Sequence, residues 1–337
     1  MEMIKNLQIN NYKSIKHVDL DCRRINVLIG EPNVGKSNIL EALDLSFLSA
    51  FLGSFGSAFI KEYFRVDRVS DLFYNGDLTK NISLISYGLP NNIYLKYTTE
   101  PQRFFELSNS ANNSTSFDND FVVRQPAQFF NSPIKPYRYK ENAKFSENNY
   151  SLDMLVPPFG NNLLEVVQYN PLFREFIGSL IEDTGWEFNL DISANKILIQ
   201  KRINTGLVYS LPYKALADTL KRIIFYTAAI RHNNGHVITL EEPDTHAFPK
   251  FVSFLADEII ESSQQFFIAT HNPYLLNNLI ENTPREELAV FVCYYDKLEG
   301  TKARKLSYTD LSELINHGID IFFNINHYLD DTVEHSA

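Results

Sequence analysis

The 337 residues carry 41 acids against 31 lysines and arginines, a formal net charge of −10 that excludes a globally basic nucleic-acid surface and leaves only a local patch for such contacts. Hydrophobic residues at 44% and charged residues at 21% are those of a globular chain able to bury a sizeable core. Cys22 and Cys293, with no CxxC pair, exclude a disulfide framework and a zinc site of the usual spacing. No apolar run approaches the ~18 residues of a membrane span, and the first residues lack the apolar core of a signal peptide. The expected setting is cytoplasmic, away from any membrane.

In chain order, residues 3–10 and 17–22 alternate as short strands. Residues 25–29 (INVLI) are a continuous apolar run, as in a buried strand. A glycine-containing loop follows, then a helix with Ile39, Leu40, Leu43 and Phe47 on one face. Residues 82–87 and 93–98 read as an antiparallel pair around a turn at Pro90-Asn91-Asn92. Residues 101–150, rich in Asn, Ser, Pro and Gln, show no period and predict long loops or an irregular subdomain. Residues 162–183 read as helix, and 186–192 and 196–200 as strands. A helix over 216–230, capped by Asp218 or Thr219, precedes a buried strand at 236–240. A helix at 249–262 and further buried strands at 265–270 and 288–295 complete the pattern. Strands alternating with helices predict an α/β fold with parallel elements. No heptad pattern is sustained, which excludes a long coiled coil.

Gly30-Glu31-Pro32-Asn33-Val34-Gly35-Lys36-Ser37 satisfies the phosphate-loop spacing, with a buried strand before it and a helix after it. Phosphates need successive backbone N–H groups and a helix N-terminus aimed at them, and Gly30 and Gly35 permit that backbone path. Lys36 is placed to reach the β- and γ-phosphates of ATP, and the Ser37 hydroxyl to ligate Mg²⁺. The strand at 236–240 ends in Glu241-Glu242. One acid suits the metal's shell, assigned to Glu241, and the next suits polarising the attacking water, assigned to Glu242. The strand at 265–270 runs into Thr270-His271, where His271 could sense the γ-phosphate or orient the water.

These segments resemble those of ABC-type ATPase heads of the RecF/SMC/OLD-like group, nearest the short bacterial "AAA-family" ATPases of its OLD-like branch. The residues that carry the resemblance are Asn11–Ile15, Gly35–Leu43, Leu240–His246 and Thr270–Pro273, within roughly 1–50 and 205–295. It implies an ABC-ATPase-like P-loop head, α/β with a mixed sheet flanked by helices, spanning 1–100 and 201–337. An α+β insertion, irregular or helical, is expected at 101–200. It implies nucleotide contacts from Gly30, Asn33, Val34, Gly35, Lys36, Ser37 and Asn38, and adenine or phosphate contacts from Lys13 and Ser14. Two heads of this group enclose ATP between them, which implies a homodimer or higher homo-oligomer. The signature segment that meets the partner's nucleotide falls at Ala217, Asp218 and Thr219. It departs from the usual Leu-Ser-Gly-Gly pattern, and Glu241 stands where Asp is usual. No glutamine marks the Q-loop. Arg65 and Arg68 lie in its place, to reach nucleotide or coupling surfaces, or to form surface ion pairs.

The expected function is an ATP-hydrolysing dimer clamp that senses for, or regulates, a separately encoded effector protein, in the manner of bacterial anti-phage systems. The alternative is a RecF-like DNA clamp, in which Lys135, Arg138, Lys140 and Lys144, interleaved with Tyr137 and Tyr139, bind nucleic acid.

Overall fold

The computed structural model describes residues 2–89, 92–99, 102–124, 132–141, 154–317 and 321–329. The chain opens with strands β1 (Asn6–Tyr12), β2 (Ile15–Asp21) and β3 (Ile25–Ile29), then helices α1 (Lys36–Asp44), α2 (Leu48–Ser54) and α3 (Ser57–Tyr63). Strands β4 (Ile82–Tyr87), β5 (Ile93–Thr98), β6 (Phe104–Asn109), β7 (Ser114–Phe117) and β8 (Ile134–Tyr137) follow. Next come α4 (Leu163–Tyr169), α5 (Pro171–Ile181), β9 (Glu187–Asp191), β10 (Lys196–Asn204), β11 (Leu207–Pro212) and α6 (Asp218–Arg231). The remainder is β12 (Val237–Glu241), α7 (Pro249–Glu261), β13 (Gln265–Ala269), α8 (Pro273–Asn282), β14 (Leu288–Asp296), β15 (Gly300–Lys305) and α9 (Tyr308–His317). The fold is mixed α/β. It divides into two compact units, one of Met1–Pro136, Gly235–Glu242 and Gln264–Ala337, the other of Tyr137–Asn234 and Pro243–Ser263.

The first unit is built on a sheet ordered β7-β6-β5-β4-β1-β2-β15-β14-β3-β13-β12-β8. Its centre, β14-β3-β13-β12, is parallel. All five residues of β3 and of β13 are buried, because a parallel strand covered on both faces has no polar side. From β4 to β7 the strands pair antiparallel.

The register of the parallel strands decides what they present. Leu28 of β3 pairs with Ala269 of β13, and Ala269 pairs with Glu241 of β12. Three strands therefore end at one level, and the residues following each are brought side by side. Helix α1 packs on β12 and β13 and is fixed there by Asp44. This buried carboxylate accepts from Tyr63 Oη at 2.8 Å and from Thr239 Oγ1 of β12 at 2.9 Å. Beyond α1, Phe51 sits edge-on to Phe47, Phe55, Phe59 and Tyr63, so α2 and α3 close over an aromatic core.

Several elements differ from the sequence expectations. Residues 104–117 extend the sheet instead of looping, since Phe105 and Leu107 face inward together with Thr115 and Phe117. The Ser-Thr-Ser run of β7 hid that alternation. The helix expected over 162–183 is two helices. Pro171 cannot continue α4, and Asn170 caps α5 by accepting from Phe173 N at 2.9 Å. Neither Asp218 nor Thr219 caps α6: the cap position is Ala217, with no side-chain bond. Helices α8 and α9 and strands β11 and β15 were not foreseen. Pro90 and Asn91 of the expected turn lie outside the described residues.

The second unit holds α4 to α7 and a small sheet ordered β11-β10-β9. Phe176 of α5 stacks on Phe254 of α7, and Tyr137 Oη donates to Asn233 Oδ1 at 2.9 Å inside the core.

Replacing Asp44 by Ala leaves the buried Thr239 and Tyr63 hydroxyls without their shared acceptor. The expected loss is about 3–6 kcal/mol of unfolding free energy, from two hydrogen bonds to a charged group at ~1.5–3 kcal/mol each, read by urea titration. A loss below ~0.5 kcal/mol would show that the carboxylate does not hold α1 to β12.

Candidate functional site

The loop from Gly30 to Ser37 leaves the end of β3 and turns into α1. Its path needs left-handed backbone at Asn33 (φ 65°) and Gly35 (φ 104°). A side chain at either glycine would collide: a Cβ on Gly30 would stand 2.4 Å from the Cys293 carbonyl oxygen, and one on Gly35 would stand 2.1 Å from Thr301 Oγ1. Glycine here is a requirement of close approach as well as of φ.

A cavity of about 630 Å³ opens over this loop. Lys13, Ser14, Asn33, Gly35, Lys36, Ser37, Asn38, Glu242 and His271 of the expected site all line it, as does Arg65. Gly30 and Val34 shape the loop from behind. The sheet register explains the meeting, because Glu242 and His271 are the first residues beyond β12 and two beyond β13. Glu242 N donates to Ala269 O at 2.9 Å, and Thr270 N to Leu28 O at 3.2 Å, so the ends stay locked past the strands themselves. Glu242 has φ 45°, a strained value for a non-glycine residue.

The Lys36 amine donates to the carbonyls of Gly30 at 2.9 Å and Glu31 at 2.8 Å. Burial lowers its pKa, against the pull of Cys293 and Glu242. His271 Nε2 stands 3.8 Å from Glu242 Oε1, beyond hydrogen-bond reach. Burial, and then repulsion from Lys36, push the His271 pKa below its usual 6.5, with Glu242 opposing. The imidazole is therefore neutral at pH 7, so the two groups do not form an ion pair there.

Beneath the cavity rim lies Glu41, whose side chain has 0% exposure. It accepts from Lys13 Nζ at 2.5 Å, from Arg65 Nε at 2.8 Å and Nη2 at 2.6 Å, and from Tyr12 Oη at 3.4 Å. Arg65 Nη2 also donates to Glu241 at 2.9 Å. Two cations and two carboxylates thus neutralise one another, and Lys13 is further fixed by the Phe64 carbonyl. Arg65 is no surface ion pair: one of its partners is fully buried. Of the acidic pair, Glu242 lines the cavity, while Glu241 is bonded to Arg65. Sequence reasoning missed Glu41, a polar residue on a helix whose apolar stripe drew attention elsewhere. The Ser14 hydroxyl is bonded to Asn38 and Thr301.

Ala217, Asp218 and Thr219 belong to the second unit. Asp218 accepts from Arg222 Nε at 2.8 Å and Tyr139 Oη at 2.9 Å, and Thr219 Oγ1 donates to the His246 carbonyl at 2.8 Å. The basic and aromatic run expected to bind nucleic acid is also largely committed. Lys135 is 5% exposed with its amine over the Phe47 ring, and Tyr137 is fully buried. Lys144 lies outside the described residues. A stacking patch needs open rings and amines, and the core of this run offers neither.

A phosphate-loop sequence thus stands at the end of a parallel strand, with carboxylates and a histidine at the neighbouring strand ends. Residues 3–157 match a family model described as an AAA ATPase domain. Among solved structures, an Smc head bound to the C-winged helix domain of ScpA is 15% identical with a TM-score of 0.53, over 92% of this chain and 99% of that one. An Smc head domain with an extended coiled coil, bound to the C-terminal domain of ScpA derived from Pyrococcus furiosus, is 13% identical with a TM-score of 0.51, over 94% and 99%. At these identities the likeness is one of fold. No curated protein matches the chain. Over residues 3–157 the chain is similar to an AAA ATPase domain, and its fold is that of an SMC head.

A neutral His271 predicts a titration midpoint below 6.5, followed by NMR of the imidazole with a His271→Gln control for assignment. A midpoint at or above 6.5 would mean that Glu242 outweighs burial and Lys36.

Proposed function

We propose that the chain binds ATP with Mg²⁺ over the P-loop and hydrolyses it. The observation that carries this reading is the convergence of Lys36, Ser37, Glu242 and His271 on one cavity at the aligned ends of three parallel strands. The cavity suits the group. Its loop is free of clashing side chains, it opens on the start of α1, and α1 has no side-chain cap competing for its first amides. Lys36 balances phosphate charge, Ser37 in the cavity is the residue to hold the metal, and Glu241, held by Arg65 outside the cavity lining, would act on it through the metal's water shell. Mg²⁺, when bound, neutralises charge developing on the phosphates. Of the carboxylates lining the cavity, Glu242 is the one beside His271 at the strand ends, placed to take a proton from water, and neutral His271 can orient that water by a hydrogen bond. Arg65 holds Glu241 in place from the buried Glu41.

In this reading two copies close around nucleotide, each presenting Ala217, Asp218 and Thr219 at the start of α6 to the other's ATP. The homodimer then works as a switch, closed by ATP and released by hydrolysis. Its output is a separately encoded effector protein, and its setting is bacterial anti-phage defence. The solved heads of like fold, each bound to a domain of ScpA, support a protein partner.

Wild-type chain with Mg²⁺ is expected to hydrolyse ATP, and Glu242→Gln to lose at least ~100-fold in rate, as general-base removal does. The same variant should trap a species of twice the mass with ATP, read by light scattering. Lys36→Ala should bind no ATP. A Glu242→Gln variant hydrolysing at the wild-type rate would contradict the assignment.

A further inference from the structure

We propose that Thr301 is a positioning residue for the phosphate loop, reached through a one-way chain of hydrogen bonds. This rests on the reading that the loop binds ATP. Thr301 is the second residue of β15 and is fully buried behind the loop. Its Oγ1 donates to the Val34 carbonyl at 2.8 Å. A carbonyl can only accept, so the one Thr301 proton is committed there. Its contact with Ser14 Oγ at 2.7 Å must then run from Ser14 to Thr301. With its own proton used, Ser14 Oγ accepts from Asn38 Nδ2 at 2.7 Å. The order Asn38, Ser14, Thr301, Val34 is therefore fixed in direction. It links the first turn of α1, the turn after β1, strand β15 and the crown of the P-loop.

The end of this chain controls the loop's donors. A trans peptide is planar, with its N–H opposed to its C=O. Holding the Val34 carbonyl toward Thr301 turns the Gly35 N–H the other way, and Gly35 lines the cavity. The packing is too close for any bulk. A Cβ on Gly35 would meet Thr301 Oγ1 at 2.1 Å and Ser14 Oγ at 2.9 Å, and one on Gly300 would meet the Ser14 carbonyl at 2.3 Å. Thr301 N donates to that same Ser14 carbonyl at 2.8 Å, which fixes β15 against the turn after β1 independently of the side chain. The hydroxyl can thus be removed while the strand stays in place.

The test uses the full chain and ATP with Mg²⁺. Thr301→Val keeps the shape and removes the hydroxyl. ATP affinity and KM are expected to weaken about tenfold, the size of one lost hydrogen bond to a preorganised loop, with kcat within about threefold of wild type. Thr301→Ser keeps the donor and is expected within about threefold of wild-type affinity. Ser14→Ala breaks the same chain, and its effect should not add to that of Thr301→Val in the double variant, as coupled residues behave. Melting without nucleotide is followed in parallel. Should Thr301→Val fail to fold, Ser14→Ala and Thr301→Ser carry the test, the first weakening ATP binding and the second retaining it. Thr301→Val binding ATP as tightly as wild type, or Thr301→Ser binding as poorly as Thr301→Val, overturns the proposal. A wild-type chain that binds no ATP overturns the nucleotide reading and this one with it.

Discussion

A carboxylate without exposed surface, Glu41, holds two cations that come from distant parts of the chain. A lone buried charge costs several kcal/mol, so Glu41 is tolerable only if Lys13 and Arg65 both arrive. Their arrival fixes three things at once. Lys13 brings the turn after β1 to α1. Arg65 brings the loop after α3 to the same helix. Through its second bond, Arg65 also ties that helix to Glu241 at the end of β12. The P-loop is the N-terminal continuation of α1, so its floor and its acidic wall are set by one network of charges.

The sheet supplies the complementary constraint. Parallel strands buried on both faces have their register fixed by packing, and β3, β13 and β12 stop together. Chemistry-bearing residues placed just past those stops need no further guidance to meet. Two adjacent acids there take different places, Glu241 bonded to Arg65 and Glu242 lining the cavity. Charge balance and strand register together leave Lys36, Ser37, Glu242 and His271 on one surface.

How much of this was legible depended on how local the cause is. The P-loop was readable because its spacing states a backbone requirement within eight consecutive positions. The core strands were readable because burial on both faces writes an unbroken apolar run. Strand β7 was not, since Ser114 and Ser116 alternate with residues whose inward packing only the neighbouring strand reveals. Lys135 and Tyr137 looked like a nucleic-acid patch because their burial is imposed by distant elements, with Phe47 under the amine and Asn233 at the hydroxyl. Glu41 and Thr301 were silent for the same reason. Each acts across long sequence separations, on Lys13 and Arg65 in one case and on Val34 in the other.

The claim that a buried charge network organises the nucleotide site is tested most directly by the affinity of Glu41→Gln for ATP with Mg²⁺, measured by calorimetry where the variant is folded. Glu41 lies beneath the rim and does not line the cavity. The account predicts binding at least about tenfold weaker than wild type, because Lys13 and Arg65 lose the anion that places them. Unchanged affinity in a folded Glu41→Gln chain would contradict it, and would show that the P-loop and the strand ends form the site without the charges beneath them.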